Sequence, residues 1–318
     1  MDGSDPPHCQ DPGAHLTRCR LLRRVGGAAG GQHQRTGEWM ATDTASTPTT
    51  GSPEARAAIT ARTLRTDRWW LTPLIYVFGL GAFIVYSTYA VLVGDHFFIG
   101  ERAANAHGHA PYISPFYSPC LAGDACGPVK TPVIGNIFDG MFFLSRLVVL
   151  MLPLAFRTTC YYYRKAYYRS FWLSPPACAV AEPHKKYTGE TRVPLVVQNS
   201  HRYWWYAAIL VLFMLSVDAV LAFNWDGEFG MGLGSLIMVL NVVLLAAYTF
   251  GCHSCRHILG GRLNHFSRHP IRYRLWTLVS KLNARHGFYA WASLISVGLT
   301  DLYIRLASHG VFDDPRFF

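Results

Sequence analysis

The sequence predicts an all-α polytopic membrane protein, a bundle of five transmembrane helices with aromatic and basic loops on one side. Three observations carry that expectation. Of the 318 residues, 51% are hydrophobic and only 15% charged, too apolar for an ordinary soluble protein, and the formal net charge is +10. Five stretches, at about 69–93, 137–156, 203–224, 229–250 and 286–307, are close to the roughly 20 apolar residues that a helix needs to cross the hydrocarbon core. The basic residues gather in alternate connections, as they do in membrane proteins of fixed orientation.

From the N-terminus, residues 1–66 are rich in Gly, Thr, Ser, Pro and Arg and have no apolar periodicity, so a disordered tail is expected. Cys9 and Cys19 are isolated within it. Met40 opens "MATDTASTP", a composition typical of a short flexible tail, and translation is expected to start there, leaving 1–39 untranslated. The first apolar stretch begins too late for a signal peptide and no small-residue cleavage site follows it, so it counts as a span. The membrane domain is then 67–308, with a short C-terminal tail at 309–318.

The connection 157–202 carries Arg157, Arg164, Lys165, Arg169, Lys185, Lys186, Arg192 and Arg202. The connection 251–285 carries seven further Arg or Lys and no acid, whereas 94–136 and 225–228 are poor in bases and hold Asp95, Glu101, Asp124, Asp226 and Glu228. The positive-inside rule places the N-terminus and both basic loops in the cytoplasm and the C-terminus outside, in a multi-pass protein of the plasma membrane. The charge is thus assigned to a membrane surface, and no nucleic-acid partner is expected.

This topology sorts the cysteines. Cys120 and Cys126, in the outer loop "PCLAGDACG", face an oxidising compartment and are expected to form a disulfide. Cys160, Cys178, Cys252 and Cys255 share the cytoplasmic side with His184, His201, His253, His257, His265, His269 and His286. Such thiols serve metals or catalysis more readily than disulfides. A single one of them is adequately explained as a small buried hydrophobe, and a single histidine as an interfacial hydrogen-bonding group. So many ligand types around one layer are not.

The densest motif is "CHSCRH", Cys252 to His257. On a straight helix His253 and His257 (i, i+4) share one face and Cys252 and Cys255 (i, i+3) another, roughly 150° away. Either one pair binds with ligands from another helix, or the helix breaks near Gly251 and the segment wraps the metal as a loop. Cys160, at the cytoplasmic end of the second span, is at the right depth to join, and Cys178 and His201 are further candidates. The candidate metal ligands are thus Cys160, Cys252, His253, Cys255 and His257. Two thiols with two imidazoles suit zinc or a Rieske-type [2Fe–2S] cluster, and Cys255-Arg-His257 has the C-x-H spacing of a Rieske loop. A single haem b, with His201 and His257 as axial ligands, stays open. Two stacked haems would need histidines in the outer half of the spans, which hold none.

The stretch "TTCYYYRKAYYRSFWLSPPAC" has five tyrosines within eight residues. An aromatic belt with snorkelling bases explains Tyr203, Trp204 and Trp205. The denser part suits a docking surface and a pocket for a flat quinone head group, with Arg169, Ser170, Trp172, Ser174, His201 and Tyr203 as candidate quinone-binding residues. Charged residues within the spans are Arg146, Asp218, Asp301 and Arg305, of which Asp301 and Arg305 (i, i+4) are expected to pair.

The runs "TCYYYRKAYYRSFWLSPPACAVAEPHKKYTGETR", "NSHRYWWY" and "CHSCRHILGGRLNHFSRHPIRYRLW" resemble the membrane-anchor, cytochrome-b-like subunit of actinobacterial succinate dehydrogenases over about 65–310. The resemblance implies a five-helix anchor of respiratory complex II that works with a flavoprotein and an iron–sulfur subunit and delivers electrons to menaquinone. For this branch it also implies a haem-free anchor with a Rieske-type [2Fe–2S] cluster. The best local match for its ligands is Cys252–His257 with Cys160. The chain contains no flavin or nucleotide motif, so succinate oxidation is expected on the partner subunits. A transporter would need polar groups or broken helices near the midplane, which Arg146 alone supplies poorly. A zinc-stabilised scaffold would use the same Cys and His residues without redox chemistry.

Overall fold

A computed structural model describes residues 65–99, 112–118, 142–185, 192–225 and 227–317. The tail expected at 1–66, apart from its last two residues, and the Cys120–Cys126 pair lie outside the described residues, as does the side chain of Arg146.

Helix α1 (Leu71–Val93) is apolar on every side and ends at Gly94, whose φ of 74° places it in the left-handed region that favours glycine. Helix α2 (Phe142–Thr159) is followed at Cys160 by the short α3 (Tyr161–Tyr167), which widens into a π-helical turn at Tyr168–Trp172. After α4 (Arg192–Gln198) come α5 (His201–Leu221) and α6 (Leu233–Phe250), then α7 (His253–Gly260), α8 (Pro270–Ala284) and α9 (His286–Ser308). The all-helical expectation needs one small addition, two hairpins of two-residue strands: β1 (Phe98–Ile99) with β2 (Tyr112–Ile113), and β3 (Asn224–Trp225) with β4 (Glu228–Phe229).

By length and composition α1, α5 and α6 can each cross a membrane. Helix α9 is equally long, at 23 residues, but Asp301 and Arg305 lower its hydropathy; α2 contains Pro153. Helix α6 packs between α5 and α9, α2 lies on α5, and α1 on α9. Many large apolar side chains on α1, Phe78, Val85 and Tyr89 among them, point away from the bundle. That arrangement suits lipid as the surrounding solvent.

The core has two ends. At the end of the basic connections, Phe156, Cys160, Tyr163, Trp205, Tyr248 and Cys252 form a buried cluster. At the other, Tyr112, Trp225 and Ile304 form a second. The end opposite the basic connections is tied by buried polar pairs. Arg305 Nε donates to Asp301 at 2.8 Å, as the i, i+4 spacing predicts, and the other guanidinium nitrogens donate to the Asp95 and Ala90 carbonyls at 2.7 and 2.6 Å. Tyr86 and Ser114 donate to the same Asp301 carboxylate, so the charge is paired and hydrogen-bonded, as burial demands. Asp218 accepts from Ser118. Asp314 accepts from Tyr112 and from the Gly234 amide at the start of α6, at 2.8 and 2.9 Å.

Candidate functional site

Four helix termini meet at the basic end of the bundle: the end of α2, the start of α5, the end of α6 and the start of α9. Each contributes one ligand-type side chain. Cys160 follows α2, His201 opens α5, Cys252 follows α6 and His286 opens α9. Cys160, Cys252 and His286 are buried, with exposures of 2%, 1% and 3%, and His201 is half-buried.

The contacts fall into two pairs. His201 Nε2 lies 3.1 Å from Cys252 Sγ, and His286 Nε2 lies 3.7 Å from Cys160 Sγ. The second nitrogen of His201 faces Thr159 Oγ1 at 2.8 Å, which aims Nε2 at the sulfur. His286 Nδ1 is buried without a hydrogen-bond partner among the described residues. Two rings hold the imidazoles flat: Phe156 stacks on His201 at 4.8 Å and 6°, and Tyr248 on His286 at 5.0 Å and 11°. Burial pushes the Cys160 thiol up and the Cys252 thiol up to about 12. Left to the protein alone, both sulfurs stay protonated.

The break at Gly251 makes the Cys252 position. Helix α6 stops at Phe250, Cys252 adopts an extended backbone and caps α7, and its sulfur accepts from the Ser254 amide at 3.4 Å. Asn283 Nδ2 donates to the Gly251 carbonyl at 2.8 Å and holds the break against α8. A Cβ on Gly251 would stand 2.6 Å from the Ala247 carbonyl oxygen, so the approach requires glycine.

This geometry redistributes the residues expected from the sequence. Cys160 and Cys252 come together, and Cys255 is buried one turn further along α7. His253 and His257 share the opposite, exposed face, although His253 stays within electrostatic reach of His201 and His286. The C-x-H spacing of Cys255 and His257 therefore does not bring its two ends to one place. His201 moves from the quinone candidates to the thiols. His286 is not one of the five candidate metal ligands; the signal that marks it is depth, since it begins the fifth apolar stretch at the level of the other three. Among the described residues, no three His, Cys, Asp or Glu side chains are arranged around a single metal ion.

The remaining quinone candidates do not point to a common centre. Ser170 Oγ donates to the Ala166 carbonyl and Ser174 Oγ to that of Trp172, while Arg169 contacts Cys178 Sγ at 3.3 Å. Trp172 and Tyr203 are exposed. A cavity of about 210 Å³ lies elsewhere, within the helix bundle, lined by Phe83, Phe116, Pro153, Leu212 and others. Its wall includes Phe156, Arg157 and Tyr248, two of which are the rings stacked on the histidines. Arg157 reaches Tyr163, the Ala290 carbonyl and Ser293, and lies 4.9 Å above the Tyr248 ring. Tyr248 Oη is buried beside Cys160.

A bundle of apolar helices with a layer of thiols and imidazoles at one end, beside an apolar cavity, defines a helical membrane protein. The family model described as actinobacterial succinate dehydrogenase subunit SdhC matches residues 71–310, and the chain belongs to that family. A solved structure, the Mycobacterium smegmatis Sdh1 complex in the apo form, contains a chain 49% identical to this one, with a TM-score of 0.73 over 81% of this chain and 94% of that chain. No curated protein matches. The chain is thus a membrane-anchor subunit of a succinate dehydrogenase complex.

Proposed function

We propose that this subunit spans the plasma membrane five times, with α2 and α9 joining α1, α5 and α6, and that it carries electrons from an iron–sulfur subunit to menaquinone. Its N-terminus and basic connections face the cytoplasm, where the flavoprotein and iron–sulfur subunits dock, and its C-terminus lies outside. Succinate is oxidised on the flavoprotein subunit.

The observation that carries the reading is the buried set Cys160, Cys252, His201 and His286. Two thiols and two imidazoles are the donor set of a Rieske-type [2Fe–2S] cluster. The unpartnered His286 Nδ1 and the two sulfurs sealed from water fit residues that complete their coordination with metal. When bound, the cluster supplies a one-electron carrier at the cytoplasmic end of the bundle. The chain's own contribution is to hold the four donors at one depth, to orient His201 through Thr159, and to keep water away with Phe156, Tyr163 and Tyr248.

Quinone is better served by the cavity than by the aromatic loop. Its apolar lining suits the start of an isoprenoid tail. The Arg157 guanidinium and the Tyr248 hydroxyl, at the wall shared with the thiol–imidazole layer, can bond a head-group oxygen.

Low-temperature EPR of the succinate-reduced complex, with iron and zinc analysis and an absorption spectrum, tests this reading. A rhombic signal of low average g that disappears in Cys252→Ser, without a Soret band, supports it. A Soret band would make the histidines haem ligands, and zinc without an iron signal from this subunit would leave the four residues as scaffolding.

A further inference from the structure

Helix α8 contributes no thiol or imidazole to the site and is too short to cross a membrane. Its 15 residues extend for about 22 Å, and it has three distinct faces. One is bound to the protein. Val279 is buried, Arg272 donates to the Leu259 and Gly261 carbonyls at 3.0 and 3.2 Å, and Asn283 holds the Gly251 break. The second is an uncovered apolar stripe. Ile271, Leu275 and Leu278, spaced by four and three, are 73%, 45% and 57% exposed, and Leu282 continues the row half-buried. The third, beside the stripe, carries the exposed cations Arg274 and Lys281, seven residues apart. Exposed Arg268 and Arg285 flank the helix ends, and no Asp or Glu occurs anywhere from Gly251 to Arg285.

A row of exposed Ile and Leu side chains beside a row of cations is the pattern of a helix lying in a membrane interface, with apolar side chains among acyl chains and bases among headgroups. The connection fixes its depth. Arg285 is the single residue between the end of α8 and the start of α9, so the end of α8 sits where α9 enters the bilayer. We propose that α8 is a membrane-surface helix that binds the anionic inner leaflet, inserting Ile271, Leu275 and Leu278 while Arg274 and Lys281 pair with lipid phosphates. Because Asn283 links this helix to the Gly251 break, such seating would brace the Cys252 position from the lipid side. The inference rests on the membrane reading above but not on the identity of the bound metal.

The test uses the complete complex in vesicles of phosphatidylglycerol and phosphatidylcholine, with a spin label at Leu278→Cys and, as reference, at Val85→Cys on the exposed face of α1; the unsubstituted complex corrects for native thiols. Collision with oxygen is compared with collision with a water-soluble nickel chelate. The Leu278 label is expected to favour oxygen, as the Val85 label does, and to shift towards nickel when Arg274→Gln and Lys281→Gln are combined or when phosphatidylglycerol is omitted. A Leu278 label shielded from both reagents, as under a partner subunit, or freely reached by nickel, overturns the proposal while the Val85 reference still reports lipid. An unchanged reading without phosphatidylglycerol overturns its headgroup part. A Val85 label in water would instead overturn the membrane reading itself.

Discussion

Cys252 and His286 give the proposed site its sharpest test: the Cys252 sulfur faces His201 Nε2, and His286 Nδ1 has no hydrogen-bond partner among the described residues. Replacing either (Cys252→Ser, His286→Gln) is expected to abolish the iron signal of this subunit and its quinone reduction. Succinate oxidation with a soluble artificial acceptor should persist, and loss of both activities together would mean failed assembly instead. His257→Ala is expected to leave signal and activity in place, since that imidazole is exposed and turned away from the thiols. Thr159 acts one step out, by fixing the ring orientation of His201. Partners of this kind typically matter by about 10–100-fold, so Thr159→Val should lower quinone reduction by about tenfold with succinate oxidation unchanged. The sequence showed which residue types were concentrated here, but it drew attention to the crowded stretch 252–257. The residues that meet come from four separate segments, and local spacing carries no information about such a meeting.

The helices themselves depend on a few close approaches. At the start of α6 the Tyr112 ring covers Gly234, and a Cβ there would stand 2.3 Å from it. The same tyrosine donates to Asp314, so a larger residue displaces the clamp that ties β2 to α6 and the C-terminal segment. Overpacking of this sort costs about 1–3 kcal/mol, and Gly234→Val is expected to lower the melting midpoint of the solubilised complex while its cofactor signal persists. The apolar lengths of α1, α5, α6 and α9 were legible to within a few residues, because a span is set by composition over a window. The kink after α6 was legible only as one of two options. Asn283 and His286, some thirty residues further along, pack against Gly251, and they decide it.

For the molecule as a whole, the buried Asp301–Arg305 pair joins α9 to the carbonyls at the end of α1. Removing one partner of a buried pair leaves a charge without compensation, at a cost of about 3–5 kcal/mol. Arg305→Met is therefore expected to destabilise the complex strongly, and Arg305→Met with Asp301→Asn should recover part of the loss in a thermal melt. Orientation can be read independently. The proposed orientation, with the basic connections in the cytoplasm, predicts that a phosphatase fused after Phe318 is active and a fluorescent protein at the same place dark. The reverse pattern would invert every assignment of side.

Hydropathy and charge run along the chain in one dimension, and so the apolar spans, the basic face and the family resemblance could be read from residue order. Depth was legible too, since each of Cys160, His201, Cys252 and His286 sits at the end of an apolar stretch. Which side chains turn inward at that depth was not. Helix azimuth is set by packing, here by the Gly251 break, the rings of Phe156 and Tyr248 stacked on the two imidazoles, and the seating of α9 against α6. Those contacts place His201 and His286 beside the thiols and leave His253 and His257 on the exposed face of α7.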